Sequence, residues 1–227
     1  MKIKVGITGQ SGFVGTHLHN FLSIKEDIEL IEFDIAFFKN SSLFQDFVKK
    51  CDAIVHLAAV NRHHNQDELF DLNVDLTKKL IDACTWSNSK PHIIFSSSTQ
   101  EERNNLYGKA KYKCREMLSD WAKNNKAKFS GLIIPNVFGP FGKPYYNSFI
   151  ATFCHQLTHC EVPEIHSDGE VNLIYVGELV CQIFNNIEKG SQVKKTFCTE
   201  ELIKHTSKNR VSEILNLLKN YKESYFE

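Results

Sequence analysis

The chain carries no surplus of either charge: 27 Lys and Arg stand against 27 Asp and Glu over 227 residues. A nucleic-acid or anionic-membrane partner calls for a basic footprint, and the sequence has none. It has no apolar run long enough to span a bilayer. Met1-Lys2-Ile3-Lys4 has the charge of a signal-peptide n-region, but the apolar stretch behind it is short and broken by glycines. A strand is therefore expected there, in a cytoplasmic protein. The seven cysteines are odd in number and include no Cys-x-x-Cys pair, which suits free thiols in a reducing compartment. Repeats, low-complexity tracts and linkers are also missing, and the length suits one sizeable domain.

What is present begins with Val5-Gly6-Ile7-Thr8-Gly9-Gln10-Ser11-Gly12-Phe13-Val14-Gly15. Ile3, Val5 and Ile7 read as a buried strand, and Phe13, Val14, Leu18, Phe21 and Leu22 as the face of the helix that follows. Between them lies a G-x-x-G-x-x-G turn rather than the commoner G-x-G-x-x-G. A strand, a Gly-rich turn and a helix N-terminus can hold a pyrophosphate on backbone N–H groups and the helix dipole. The same turn can also be a tight connection and nothing more. As a cofactor site it would use Gly9, Ser11, Gly12, Phe13, Val14 and Gly15.

A second strand is expected from Ile28 to Phe33, ending at Asp34. An acidic residue about 20 positions past the glycines is where a dinucleotide fold holds the adenosine ribose. Leu43, Phe44, Phe47 and Val48 predict a helix. A third strand begins near Cys51 and runs into the small-residue loop Leu57-Ala58-Ala59, followed by Asn61, Arg62, His63 and His64. Leu72, Leu76, Leu80 and Ala83 give a helix over 69–86 its apolar face. Pro91 to Phe95 is a fourth strand with Ser96-Ser97-Ser98 at its end, Leu106 to Lys123 a helix, and Phe129 to Ile134 a fifth strand closed by Pro135. This alternation predicts an α/β fold with a Rossmann-type, doubly wound parallel sheet, and ligands outside the carboxyl ends of its strands.

Beyond residue 135 the pattern loosens. A loop covers Phe138 to Pro144, a helix Ser148 to His159, and an irregular stretch with strand character Glu161 to Tyr175. A helix follows from Val176, and a last one carries Val211, Ile214, Leu215 and Leu218. The expected organisation is a single domain over 1–227: 1–135 mainly bind dinucleotide, and 136–227 form a substrate lid mixed with the last sheet elements.

Tyr107-Gly108-Lys109-Ala110-Lys111 places a tyrosine and a lysine at i and i+4, on one helix face. A tyrosine titrates near pH 10, and an adjacent cation lowers that by roughly 1–3 units. The phenol then becomes a useful general acid or base. A nearby hydroxyl, Ser98, could hold the substrate oxygen. In isolation such a pair is more often a packed tyrosine and a solvated lysine, but here it follows a serine cluster at a strand end and a dinucleotide turn.

At this point the chain resembles the short-chain dehydrogenase/reductase superfamily, in its extended, nucleotide-sugar branch (the NAD-dependent epimerase/dehydratases). The matching pieces are Thr8-Gly9-x-x-Gly12-x-x-Gly15, His56-Leu57-Ala58-Ala59, Ser96-Ser97-Ser98, Tyr107-x-x-x-Lys111 and Pro135-Asn136-Val137-Phe138-Gly139-Pro140. The resemblance implies a nicotinamide cofactor and a catalytic trio. Tyr107 would pass the proton, Ser98 would hold the sugar oxygen, and Lys111 would bind the nicotinamide ribose and tune Tyr107. Further cofactor contacts implied are Leu57, Ala58, Ala59, Ser96, Pro135 and Val137. Candidate substrate contacts are Asn61, Arg62, Ser98, Thr99, Asn136, Asn147 and Ser148. A narrower likeness is to the CapF-type capsular-polysaccharide reductases, carried by Val60-Asn61-Arg62, Ser96 to Gln100, Pro144-x-Tyr146-Asn147-Ser148 and Asn172-Leu173-Ile174-Tyr175. Those reduce the 4-keto group of a UDP-linked 6-deoxy-hexosamine, and usually carry a cupin domain that this sequence stops short of.

The implied function is a nucleotide-sugar 4-ketoreductase in surface-polysaccharide biosynthesis. A C4-epimerase with retained NAD and a non-catalytic dinucleotide sensor are the alternatives. The likeness implies NADPH, but Asp34 and the absence of a nearby arginine favour NADH. The branch's dehydratases resemble one another in an Asp-Glu pair after the hydroxyl residue, where this chain has Thr99-Gln100, so no dehydratase activity is expected. His155-x-x-x-His159 has zinc spacing but lacks a third ligand, so no metal is expected. Cys114, Met117, Leu118 and Trp121 give the 106–123 helix more apolar surface than one core stripe needs, which predicts a homodimer.

Overall fold

The computed structural model describes residues 2–62 and 66–226. His63 and His64, expected as a solvated loop pair, lie outside the described residues. In chain order the elements are β1 (Ile3–Thr8), α1 (Phe13–Ser23), β2 (Ile28–Ile31), a 3-10 turn (Ile35–Lys39), α2 (Ser41–Lys50), β3 (Ala53–His56), α3 (Gln66–Trp86) and β4 (His92–Ser98). A second 3-10 turn (Thr99–Glu102), α4 (Leu106–Asn125), β5 (Phe129–Ile134), β6 (Asn136–Phe138), α5 (Phe149–Thr158) and β7 (Glu170–Tyr175) follow. The chain closes with α6 (Val176–Gln192), β8 (Cys198–Leu202), β9 (Ser207–Arg210) and α7 (Val211–Phe226).

The chain forms two compact units, Met1–Ile134 with Val180–Ile203, and Pro135–Leu179 with Lys204–Glu227. The first holds a six-stranded sheet in the order β2-β1-β3-β4-β5-β8. Every pairing in it is parallel. Parallel strands covered on both faces read as continuous apolar runs, and all four residues of β3 are buried. The winding reverses between β1 and β3, where an open α/β sheet leaves its ligand crevice. Thr8 and His56 end those two strands in register.

Two sequence expectations needed correction. The second strand stops at Ile31 rather than Phe33. Phe33 turns instead into a cluster of edge-to-face rings, 5.2 Å from Phe38 and 5.1 Å from Phe47 between centroids. The serines 96–98, expected at the end of the fourth strand, are the last three residues of β4, paired with Leu132, Ile133 and Ile134 of β5. On α3, Leu72 is exposed. The buried face runs through Leu69, Asn73, Thr77, Leu80 and Ala83. Two polar side chains take that face because they have partners there: Asn73 brackets the backbone of Val60, and Thr77 reaches His56.

Of the four apolar residues expected to give α4 surplus surface, Met117 alone is only half-buried. Cys114, Leu118 and Trp121 are buried in the core of the first unit, against Leu80, Cys84 and Phe129 among others. The ground for predicting a dimer through this helix is thereby removed.

The second unit holds a three-stranded sheet in the order β6-β7-β9, with β6 parallel and β9 antiparallel to β7. The short strands β6, β8 and β9 have no separate signal in the sequence pattern. Arg210 at the end of β9 donates to Asp168 Oδ2 at 3.1 Å and to its carbonyl at 2.7 Å. Asp168 also accepts from the Ser212 backbone N–H and hydroxyl. Among the described residues no helix is long and apolar enough to cross a membrane.

Candidate active site

The turn after β1 is shaped by what it must not contain. Gly9 has φ +78°, a left-handed conformation that side chains rarely adopt, and a Cβ there would lie 2.7 Å from the Ala58 nitrogen. The turn therefore lies backbone to backbone against Leu57 and Ala58, which leaves room at position 9 for glycine alone. A Cβ on Gly15 would meet the Gly9 carbonyl oxygen at 2.2 Å. Helix α1 opens at Gly12 with no side-chain cap and no acidic residue in its first turn. Most helices fill that position with a Ser, Thr, Asp or Asn acceptor. Here the amide end and its dipole are left to an outside anion, as a pyrophosphate requires. These features fit a dinucleotide.

Beneath the turn lies a group that the sequence pattern did not reveal. His56 is fully buried; its Nδ1 is 2.7 Å from Thr8 Oγ1 and its Nε2 3.4 Å from Thr77 Oγ1. Thr8 Oγ1 also accepts from the Ala58 N–H at 3.4 Å, and Ser96 donates to the His56 carbonyl at 3.3 Å. Burial, with a smaller effect from the Lys111 charge, holds the imidazole down to about 3, so it stays neutral. It ties the ends of β1, β3 and β4 together with no charge under the cofactor turn.

Asp34 lies three residues past the end of β2 and caps the 3-10 turn, its Oδ1 accepting from the Ala36 N–H at 2.8 Å. The side chain is exposed. The basic residue of that turn is Lys39, in its last turn.

The catalytic candidates come from two elements. Ser98 ends β4, and its Oγ accepts from the Gln100 N–H at 3.2 Å. Helix α4 is capped by Asn105, whose Oδ1 accepts from the Gly108 N–H at 2.7 Å. The first turn of α4 is thereby fixed, and it carries Tyr107, half-buried, with Lys111 one turn on. Lys111 is 3% exposed. Its ammonium donates to the Ser96 carbonyl at 2.7 Å and lies 4.9 Å from the Phe95 ring centroid and 5.8 Å from that of Tyr107. Burial lowers its pKa to about 8, with Cys114 and Glu101 opposing. The lysine thus links the serine strand to the tyrosine helix.

Gly9 to Gly15, Asp34, Leu57 to Ala59, Ser96, Ser98, Thr99, Tyr107 and Lys111 all lie at the carboxyl edge of the six-stranded sheet, in the first unit. Asn61, half-buried, and Arg62, exposed, continue the loop after β3, where Asn73 donates to the Val60 carbonyl at 2.9 Å. Pro135, Asn136, Val137, Asn147 and Ser148 belong to the second unit. There Asn136 donates to the Asn172 carbonyl at 3.4 Å, and Ser148 Oγ caps α5 by accepting from the Ala151 N–H. The Ser148 hydroxyl therefore has a helix-capping role as well as the substrate role expected of it. His155 and His159 stack with ring centroids 3.9 Å apart. Among the described residues no group of three or more His, Cys, Asp or Glu side chains is placed to hold a metal ion.

Sequence reasoning also missed Glu101 and Arg115. Arg115 donates from Nε and Nη2 to the Glu101 carboxylate, at 3.0 and 2.6 Å, and both side chains are nearly buried.

A glycine-rich turn at the switch point of a parallel sheet, with Ser98, Tyr107 and Lys111 at the same edge, is the arrangement expected of a Rossmann-type oxidoreductase site. The chain belongs to the NAD dependent epimerase/dehydratase family, whose sequence pattern matches residues 5–196. Members are enzymes of the NAD(P)-dependent oxidoreductase type, and a nicotinamide dinucleotide is their cofactor. The chain is 33% identical, over 181 residues, to a UDP-2-acetamido-2,6-beta-L-arabino-hexul-4-ose reductase of Pseudomonas aeruginosa, covering 78% of this chain and 48% of that protein. The capsular polysaccharide assembling protein CapF of Staphylococcus aureus superposes with a TM-score of 0.81 at 29% identity, over 99% of this chain and 59% of that one. A UDP-glucose 4-epimerase of Thermotoga maritima shares the fold, with a TM-score of 0.79 at 19% identity over 99% of this chain and 84% of that one. The chain thus spans about half the length of the reductase it matches.

Proposed function

We propose that this protein is a nucleotide-sugar 4-ketoreductase acting on a UDP-linked 4-keto-6-deoxy-hexosamine. The observation that carries the proposal is the buried Lys111 ammonium, anchored on the Ser96 carbonyl and adjacent to the Tyr107 ring. A lysine placed in this way has little use in a non-catalytic dinucleotide sensor. The relative named as a 4-ketose reductase supports the substrate class.

Bound NAD(P)H would supply a hydride to C4 of the sugar. The Ser98 hydroxyl would hold the C4 oxygen and orient the carbonyl. Tyr107 would donate its phenolic proton to that oxygen as negative charge develops. Lys111 stabilises the resulting tyrosinate electrostatically and offers its N–H groups to a ribose. Asp34 would accept hydrogen bonds from the adenosine ribose hydroxyls, and the open N-terminus of α1 would carry the pyrophosphate. Arg62, in the loop after β3, would contact a phosphate or sugar oxygen.

The test is turnover of a panel of UDP- and dTDP-linked 4-keto-6-deoxy sugars with added NADH or NADPH. Stoichiometric oxidation of the added cofactor supports a reductase. Protein that purifies with NAD bound, and interconverts C4 epimers with no cofactor added, would be an epimerase and would overturn the proposal.

A further inference from the structure

Tyr107, Lys111 and Arg115 recur at i, i+4 and i+8 on α4, so all three lie along one face of the helix. Two of them are accounted for by the trio. The third reaches back to the segment that follows Ser98. Arg115 Nε lies 3.0 and 3.1 Å from the two Glu101 carboxylate oxygens, and Nη2 lies 2.6 Å from Oε2. Glu101 Oε1 also accepts from the Ser97 hydroxyl. The remaining end of the guanidinium, Nη1, meets Glu200 Oε1 on β8 at 2.5 Å. The Arg115 and Glu101 side chains are 8% and 6% exposed.

An ion pair so buried loses much of its Coulombic gain to desolvation, so it contributes little net stability. What a bidentate fork supplies is geometry, because two parallel hydrogen bonds fix both distance and angle. The positions it fixes are specific. Glu101 is three residues past Ser98, within the 3-10 turn that Ser98 caps. Arg115 is one helical turn past Lys111. The pair therefore closes a bridge between the element bearing the serine and the helix bearing the tyrosine and lysine. A second contact acts in the same direction: a Cβ on Gly108 would lie 1.9 Å from the Gln100 carbonyl oxygen, so the first turn of α4 rests directly on that 3-10 turn.

We infer that Glu101 and Arg115 are positioning residues that set the separation of the Ser98 hydroxyl from the Tyr107 phenol. This rests on the catalytic trio proposed above. It also places Glu101 outside proton chemistry: its oxygens are held by Arg115 and Ser97, so it does not serve as the carboxylate base of a dehydratase.

The test uses the full chain with Glu101→Gln and Arg115→Lys, which keep the side-chain volume but break the fork, and with Ser98→Ala and Tyr107→Phe as references. Hydrogen exchange, which needs no substrate, should show faster exchange over 99–108 in both fork variants, with the central strand 93–95 unchanged. In turnover of the 4-keto sugar panel, kcat should fall about 10- to 100-fold, as a misplacement of about 1 Å can produce. KM and the dinucleotide Kd should stay within about twofold, the pattern of an interaction realised in the transition state. Glu101→Gln should also shift the alkaline limb of the rate profile to lower pH, because the carboxylate supports the Lys111 charge. Unchanged exchange over 99–108 would overturn the bridge. Unchanged kcat alongside a lowered Tm would reduce the pair to a stabilising role. Full turnover by Ser98→Ala and Tyr107→Phe would sink the trio instead, and with it the catalytic part of the inference, leaving exchange to judge the bridge.

Discussion

The Lys111 ammonium donates to the Ser96 carbonyl oxygen at 2.7 Å, from a side chain that is 3% exposed. A cation taken so far out of water destabilises the fold unless its partners offset the lost hydration. Its pKa falls from 10.5 to about 8, chiefly by burial. The unfolded chain keeps this proton up to about 10.5, so between the two values the unfolded state binds more protons, and stability should rise with pH across that window. Lys111→Met removes the effect. The variant should melt above the wild type at pH 7, by an amount on the order of 3 kcal/mol at most, and the gap should close between pH 8 and 10.5. Thermal melts of both proteins over that range check it; a gap constant with pH would refute it.

Tyr107→Phe should reduce kcat by about 10²–10⁴-fold, the usual contribution of a general acid. The phenyl ring keeps its packing and its place beside Lys111, so the dinucleotide Kd should change little. Cofactor titration by fluorescence, run alongside turnover, separates the two quantities. A variant turning over at the wild-type rate would show that the proton comes from elsewhere.

Asp34 should make the enzyme prefer NADH. Its carboxylate can accept from a ribose diol but repels a 2′-phosphate, and the nearby base is Lys39 rather than an arginine. A charged hydrogen bond is worth about 1.5–3 kcal/mol, so the preference in kcat/KM should be about tenfold or more. Asp34→Ala should narrow it by weakening NADH. A wild-type kcat/KM clearly higher with NADPH would contradict this reading.

Gly15→Ala should weaken dinucleotide binding while leaving a cooperative melt. Its methyl group would lie 2.2 Å from the Gly9 carbonyl oxygen and 2.8 Å from Gln10 Cα, so the phosphate turn must open. Isothermal titration with NADH should show a loss of at least tenfold. An undiminished affinity would mean that the pyrophosphate does not rest on this turn.

The protein should not convert a UDP-hexose to its 4-keto-6-deoxy form. Thr99 and Gln100 offer no carboxylate, and Glu101 beyond them is tied to Arg115 and Ser97. Mass spectrometry of a UDP-glucose incubation with NAD should show no loss of water.

The local elements were legible because their signals are local. β1, the glycine turn and α1 follow from apolar periodicity and from glycines at fixed spacing, and Tyr107 and Lys111 meet because an α-helix brings i and i+4 together. The order of the parallel strands also follows the expectation of a doubly wound sheet. Elements whose burial depends on distant partners were less legible. A strand such as Cys198–Leu202, with two glutamates, forms because it pairs along the edge of β5. The apolar residues of α4 looked like spare surface until α3 and β5 were seen to cover them.

The sequence by itself determined the glycine turn, the i, i+4 meeting of Tyr107 with Lys111 and the alternation of strands and helices, since each rests on spacing along the chain. The tertiary structure decided what surrounds them. Asn73 and Thr77 face inward on α3 because Val60 and His56 supply partners 13 and 21 residues away. Glu101 and Arg115 form a pair because the 3-10 turn folds back onto α4, across 14 positions of sequence. No periodicity encodes such contacts: a polar residue is placed inside by the group it satisfies, and that group is known only once the chain has folded.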